Sequence, residues 1–424
     1  MTHFTGYRCS LCGVEYAPGQ VEYVCPKHGD MGNLDVVLDY AAIAVAASPQ
    51  SIAGSPRHSL WRYLPLLPVD DPGFHHTPLG AAGGTPLYHA GRLAAELGLR
   101  QLLVKDDGRN PTASFKDRAS AVVVARAREI GAEVIVTAST GNAGAALAGM
   151  AAAVGHAAVI FAPETAPPAK VAQLLMFGAR VILVRGSYDQ AFDLSVAAAR
   201  EFGWYCRNTG YNPFTVEGKK TAAFEICEQL GPALGRAPSG RWTAPERVFV
   251  SVGDGNILAG LHKGFKDLCA LGWIDHMPKL MGVQAAGSAA CANAWAAGVE
   301  TITPVTAATL ADSIAVDLPR DGVRAVRAVR DTGGAYLTVS DDEILQAMAA
   351  LGRGLGVFAE PAGAAAHAGL VKAAQQGLVN PDEVVVVLNT GNGLKDVKSA
   401  LQAVAQAPVI EPELAAVKRV IGNW

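Results

Sequence analysis

The sequence has no surplus of charge of either sign: 35 Lys and Arg stand against 38 Asp and Glu, a formal net charge of -3. With no basic field to draw a polyanion, nucleic acid is not expected as a main partner. It also lacks any charge-free apolar run of transmembrane length, and its first residues do not follow the charged-then-apolar order of a secretion signal. A cytoplasmic protein with no membrane partner is the expectation. Aromatic residues are scarce at 7% and charged residues make up only 17%, whereas half of the 424 residues are apolar and 46 are Gly. Small apolar side chains in such numbers permit close helix packing, the profile of an α/β protein, and the length suffices for two or three domains. No internal repeat or low-complexity tract is present.

Cysteine is sparse and odd in number, at seven, which argues against a disulfide framework. Cys206, Cys227, Cys269 and Cys291 stand singly in stretches that read as core or helix and are expected as buried thiols. Cys9, Cys12 and Cys25 crowd the N-terminus with His28. Cys9-x2-Cys12, a gap, then Cys25-x2-His28 is the spacing of two short knuckles closing on one tetrahedral zinc ion. Tyr7, Tyr16 and Tyr23 with Gly13 and Gly19 fit two small hairpins that have too little core to fold without metal. Residues 1–40 therefore read as a zinc-ribbon-like module with Cys9, Cys12, Cys25 and His28 as ligands. A redox Cys-x-x-Cys and a ribbon that has lost its metal are the rival readings. Only Arg8 and Lys27 are basic here, so a structural or docking role fits better than nucleic-acid binding.

The stretch from Met31 to His76 reads as irregular, with Pro56, Pro65, Pro68 and Pro72. Trp61, Tyr63 and Phe74 make it an arm (41–76) packed on the core rather than a flexible linker. From Thr77 the compact part begins. Strands are expected at 101–105, 134–138, 157–161, 181–184, 247–252, 280–283 and 383–388, alternating with helices at 114–130, 142–154, 169–177, 188–202, 216–230 and 256–271. Apolar runs of this length between helices predict parallel sheets covered on both faces. The expected division is a larger domain (77–130 and 232–424) and a smaller, mobile one (131–231), with the 231–245 loop as the return between them.

Ligands of such sheets bind beyond the carboxyl ends of the strands. Asn110 to Arg118 puts Lys116 in the first turn of a helix just after a strand, with Ser114 as the expected N-cap and Pro111 keeping Asn110 extended. A helix start and a partly dry surrounding both favour the neutral amine, the form that makes a Schiff base. Alone, the same residue reads more readily as a solvated lysine, since most lysines are exposed. Gly253-Asp254-Gly255-Asn256, between a strand and a helix, can present backbone N–H groups to one phosphate. The bland alternative is a plain turn, and the spacing is neither a dinucleotide fingerprint nor a P-loop. Ser139, Thr140, Gly141 and Asn142 offer hydroxyls and amides at a helix start, suited to a carboxylate and to a cofactor's phenolic oxygen, or simply to a cap. Thr390 follows a wholly apolar strand. Its hydroxyl is either a turn feature or a neutral partner for a pyridine nitrogen, which would weaken the electron sink and favour chemistry at a substrate's β and γ carbons over transamination or decarboxylation. Together the four loops specify a pyridoxal 5′-phosphate site.

Asn110 to Arg118, Ser139 to Ala143, Val216 to Ala223, Gly253 to Asn256, Glu360 to Gly363 and Thr390 to Lys395, in this order, resemble fold-type II (tryptophan synthase β-like) pyridoxal phosphate enzymes, most closely the threonine synthases. The resemblance runs from Thr77 to the end of the chain. It implies a two-lobed α/β fold, usually dimeric, in which Lys116 is the Schiff-base lysine and proton shuttle. By the same resemblance Asn142 bonds the cofactor's 3′-oxygen, Gly253, Asp254, Gly255 and Asn256 hold its phosphate, Thr390 faces its ring nitrogen, and Ser139, Thr140 and Gly141 hold the substrate carboxylate. The implied reaction is loss of phosphate from O-phosphohomoserine and addition of water at Cβ, giving threonine. Some threonine synthases and the cysteate synthases carry a cysteine-rich N-terminal segment, so the ribbon is compatible.

Two departures bear on the substrate. The family tends to place an arginine for the substrate phosphate two residues after Asn212-Pro213, where this chain has Phe214 and Thr215. Lys219 or Lys220 could compensate, with Lys220 taken as the substrate-binding candidate, although a lysine does not reproduce a bidentate clamp. Ala311 to Val316 and Glu360 to Gly363 look more like serine/threonine dehydratases. A cysteate-synthase-like replacement on O-phosphoserine and a serine/threonine dehydratase therefore stay open beside threonine synthesis. From a different class, so does a noncatalytic scaffold built on the ribbon. The expected partners are a small, phosphorylated amino-acid substrate and a second copy of the chain.

Overall fold

The computed structural model describes residues 2–237 and 240–421, so residues 238 and 239 of the expected 231–245 return lie outside it. A run such as Val384–Asn389 carries no polar side chain before its last residue and is stable as a strand only with both faces covered; it is buried along its whole length. The strands are β1 (Phe4–Cys9), β2 (Glu15–Tyr16), β3 (Leu34–Leu38), β4 (Leu87–His89), β5 (Gln101–Asp106), β6 (Val134–Ala138), β7 (Ala157–Pro163), β8 (Arg180–Val184), β9 (Tyr205–Cys206), β10 (Arg247–Ser251), β11 (Lys279–Ala285), β12 (Tyr336–Val339) and β13 (Val384–Asn389). The first three form a small antiparallel sheet in the order β2-β1-β3. A six-stranded sheet has the order β12-β11-β10-β13-β5-β4, parallel except for β4. A four-stranded parallel sheet has the order β8-β7-β6-β9.

Each parallel sheet has a point where the chain reverses its direction of travel across the strands. In the larger sheet this lies between β10 and β13; in the smaller it lies between β6 and β9. Crevices open at such points beyond the carboxyl ends. The loops found there are 252–255 and 390–392 in one sheet, and 139–141 and 207–213 in the other.

The expected strands and helices from residue 101 to 285 are all present, with ends shifted by no more than a few residues. Short strands β4, β9 and β12 and the helices Gly322–Asp331, Asp341–Leu355 and Pro361–Gln375 were not anticipated. The 31–76 stretch is less irregular than its prolines suggest: it holds β3 and helices Tyr40–Ala46 and Pro49–Ala53. Asp39 caps the former by accepting the Ala42 N–H, and Ser48 forms a reciprocal capping box with Ser51 at the latter. Pro49 sits at a helix start, where its missing N–H costs nothing.

Helix 214–233 runs between helices 116–129 and 256–270, and glycines allow that closeness. A Cβ on Gly218 would overlap the backbone carbonyl of Arg118, and one on Gly260 would lie 2.7 Å from Lys219 Cβ. Buried charge locks the same region. Arg118 Nε donates to Asp107 Oδ2 (2.6 Å), Arg118 Nη1 to Glu225 Oε1 (2.7 Å) and Lys105 Nζ to Glu225 Oε2 (2.6 Å). The arginine holds the Glu225 carboxyl far below its usual range, and burial works against this. Removing one partner from such a cluster costs about 3–5 kcal/mol, so β5, the start of helix 116–129 and helix 214–233 form one frame.

Gly218→Ala should destabilise the protein by about 1–3 kcal/mol through overpacking. Gly352→Ala, in an exposed helix with open space at its Cβ, should be neutral or stabilising by up to about 1 kcal/mol. Urea unfolding compares them, and equal responses would contradict the close-packing account.

Candidate active site

Lys116 opens helix 116–129, but Ser114 does not cap it. The residue before the helix is Phe115, which offers no side-chain cap, and the Ser114 hydroxyl is buried without a partner. The reason is the shape of the preceding turn. Ala113 adopts φ 64°, a left-handed conformation that strains a residue with a Cβ by about 1–3 kcal/mol, and Ser114 is turned into a bridge with Gly391. Asp117 instead accepts the Thr112 N–H at 2.6 Å and its hydroxyl, and Phe115 N–H donates to Thr390 O at 2.9 Å. The lysine turn and the end of β13 are thus stitched together.

The Lys116 amine enters no hydrogen bond or ion pair among the described residues. Burial lowers its pKa, opposed by Glu360 and Asp254 and assisted by Arg207. Desolvation is therefore the main cause of the shift toward the free amine.

Lys116 reaches two cavities that share Thr209, Asp254 and Ser313. The smaller, about 50 Å³, is bounded by Gly253 to Asn256, Lys219, Glu360 and Thr390. The larger, about 210 Å³, is bounded by Ser139 to Asn142, Tyr188 and Asp312. All the sequence-predicted cofactor- and substrate-binding residues line these cavities except Lys220. That side chain is fully buried on another face of helix 214–233, with Glu217 at 2.6 Å and Asp267 at 2.8 Å. Successive helical residues point about 100° apart, so only one of the two lysines can face the cavity, and it is Lys219.

The glycine turn is shaped by contact and by conformation. A Cβ on Gly253 would stand 2.9 Å from Ile314 Cα, and Gly255 adopts φ 89°. Asn256 begins helix 256–270 and donates to Asp321 Oδ2 at 2.7 Å, which turns its Oδ1 toward Lys219 Nζ, a hydrogen-bond donor to it. Asp254 is half-buried, accepts the Arg320 N–H at 3.4 Å and has its pKa raised by desolvation. Across the cavities, Asn142 Nδ2 donates to Glu360 Oε1 at 2.7 Å. Burial, with Asp312 adding repulsion, pushes Glu360 up to about 7, within reach of proton transfer at neutral pH.

Several residues of this site carried no role in the sequence reading. Glu360 was visible only as part of a motif. Arg207 and Thr209 follow β9, which at two residues is too short to flag its loop. Arg207 is wholly buried: Nε donates to Ser120 Oγ at 3.2 Å, Nη1 to Thr209 Oγ1 at 2.7 Å, and Nη2 has no partner among the described residues. Burial lowers its pKa to about 10.

At the N-terminus the ligand atoms of Cys9, Cys12, Cys25 and His28 all lie within 4.8 Å of one another. This module also touches the site's frame. Tyr23 stacks on Tyr211 with ring centroids 4.9 Å apart, its hydroxyl accepts the Cys206 N–H at 2.9 Å, and Asn33 donates to Gly210 O. Cys206, Cys227 and Cys291 are buried thiols as expected, whereas Cys269 is half-buried.

A profile of the family described as pyridoxal-phosphate dependent enzyme matches residues 79–391. The chain belongs to this family. It is 38% identical over 416 residues to a threonine synthase of Methanocaldococcus jannaschii, covering 98% of each. It is 37% identical over 417 residues to a threonine synthase of Methanosarcina acetivorans, again covering 98% of each. Among solved structures it is similar to processed threonine deaminase isoform 2 from Solanum lycopersicum, with TM-score 0.65, 22% identity, and 82% of this chain and 94% of that one covered. It is also similar to diaminopropionate ammonia lyase from Escherichia coli, with TM-score 0.66, 21% identity, and coverage of 84% and 95%. At those identities the likeness is of fold, and it bears out the expected α/β fold-type II architecture. For a pyridoxal-phosphate dependent enzyme, the residues present suit the cofactor. A half-buried Lys116 amine with no partner among the described residues, a turn that excludes a Cβ, a carboxylate-free buried Lys219 and a neutral hydroxyl on Thr390 surround one space.

Proposed function

We propose that this chain converts O-phosphohomoserine and water to threonine and phosphate. The observation that carries the reading is identity of 37–38% to two proteins named threonine synthase over 98% of their length and of this chain. When bound, pyridoxal phosphate supplies the electron sink that acidifies protons at the substrate's α and β carbons. Lys116 would hold the cofactor's aldehyde and move protons at Cα and Cβ, a task for which burial favours the free amine. Gly253, Asp254, Gly255 and Asn256 would cradle the phosphate with backbone N–H groups at a helix start. Asn142 would meet the 3′-oxygen and Thr390 the ring nitrogen, while Ser139, Thr140 and Gly141 would orient the substrate carboxylate. Glu360 stands beside Asn142, placed to exchange a proton near neutrality.

Arg207 is wholly buried behind the cavity wall and bounds neither cavity. It lies on the same loop as Asn212-Pro213, its Nη1 donates to Thr209 in the cavity wall, and Nη2 is free of partners among the described residues. Deamination of threonine or serine is the second reading, favoured by the Ala311–Val316 segment, whose Asp312, Ser313 and Ala315 line the larger cavity. The proposed setting is a cytoplasmic homodimer whose smaller domain, in outline 131–231, moves against the larger. Helix 214–233 belongs to the smaller part in that division yet packs closely on helices 116–129 and 256–270. We further infer one zinc ion held by Cys9, Cys12, Cys25 and His28, a Cys₃His set suited to a closed structural site.

A substrate panel on the purified holoenzyme tests the reaction. Phosphate and threonine should form from O-phosphohomoserine. A 2-oxoacid from threonine or serine would move the assignment to a deaminase, and sulfite-dependent phosphate release from O-phosphoserine to cysteate synthesis. For the metal, Cys9→Ser should lower bound zinc, read by atomic emission, and lower the thermal midpoint while cofactor binding persists. Metal content equal to that of the wild type would count against the site.

A further inference from the structure

Lys219 is set apart from the other buried lysines of the chain. Lys105 pairs with Glu225 at 2.6 Å, Lys220 with Glu217 and Asp267, and Lys263 with Asp267 at 3.5 Å and Glu217 at 3.6 Å. Lys219 is 0% exposed and has no carboxylate partner among the described residues; its hydrogen bond goes to the neutral Oδ1 of Asn256. The nearby acids make no ion pair with Lys219 among the described residues. Asp321 is held by Arg324 and by Asn256, and Asp254 accepts a backbone N–H from Arg320. A buried ammonium without a counter-charge is costly, so the pocket calls for an anion. The space in front of Lys219 is bounded by Gly253, Asp254, Gly255 and Asn256 at the start of a 15-residue helix. Helix dipole and buried cation therefore converge on one point. The close approach of helices 214–233 and 256–270 at Gly260 brings Lys219 there.

We infer that Lys219 is the counter-ion of the cofactor's phosphate, binding it as a charged side chain beside the glycine turn. This rests on the reading that the cavity takes pyridoxal phosphate. It adds that the grip is ionic as well as from backbone N–H groups, so the phosphoryl group itself, not the ring, is what Lys219 recognises. Charge-assisted bonds to a phosphate are roughly twice as strong as neutral ones, and a lysine acts there as a point charge rather than a bidentate clamp.

The test is equilibrium binding to the apo full-length protein, followed by cofactor absorbance, with pyridoxal phosphate and with pyridoxal, which lacks the phosphate. Circular dichroism confirms folding. In Lys219→Gln, pyridoxal phosphate should bind about tenfold or more weakly, pyridoxal should bind as in the wild type, and Lys219→Arg should restore most of the difference. Equal loss for both ligands, or no loss, would overturn the inference. Failure of the wild type to bind pyridoxal phosphate at all would instead overturn the underlying reading. Should the glutamine variant not fold, phosphorus NMR of the wild-type holoenzyme decides. The bound phosphate should stay dianionic as pH falls through about 6, the second pKa of a free phosphate monoester, and titration like the free cofactor would contradict the proposed pairing.

Discussion

An amine kept out of water without a counter-charge is the constraint from which the rest of this molecule follows. Lys219 is fully in that condition and Lys116, half-buried and without an ion pair among the described residues, shares it in part; both face the space where the six-stranded sheet changes its direction of travel. Burial disfavours their charged forms. The chain nevertheless invests a strained Ala113, a partnerless Ser114 hydroxyl and a rigid ionic frame in holding them there. Such concentrated local cost is expected where function, rather than stability, sets the geometry.

The frame explains how the position is held. Arg118 sits two residues after Lys116 and is fixed by Asp107 from the end of β5 and Glu225 from helix 214–233. The lysine turn is therefore clamped on one side by buried charge and on the other by the Phe115 bond to Thr390. Helix 214–233 is pressed against the same turn at Gly218 and delivers Lys219 to the cavity. On the facing side, Tyr23 and Asn33 of the N-terminal module brace the loop that carries Arg207 and Thr209. A module far from Lys116 in sequence thereby touches Gly210, the residue next to Thr209 of the cavity wall.

Much of this was legible in the sequence because strand-end loops carry their chemistry in short, local patterns. Lys116, Ser139 to Asn142, Gly253 to Asn256 and Thr390 could be named as loop residues after apolar runs, and all of them line the two cavities. What escaped depended on long-range packing. Which of Lys219 and Lys220 faces inward is decided by helix phase against two neighbours, not by local composition. Arg207 follows a strand of two residues, too brief to leave a periodic signal. The cap at Ser114 failed because a left-handed Ala113, a conformation that composition does not announce, redirected the turn. In the 31–76 stretch, prolines suggested irregularity, but at Pro49 the same residue starts a helix.

The most direct test of the central claim is to reduce the holoenzyme with borohydride and locate the cofactor-labelled peptide by mass spectrometry. The account predicts a single label on Lys116. A label on Lys219, on any other side chain, or on none would contradict it.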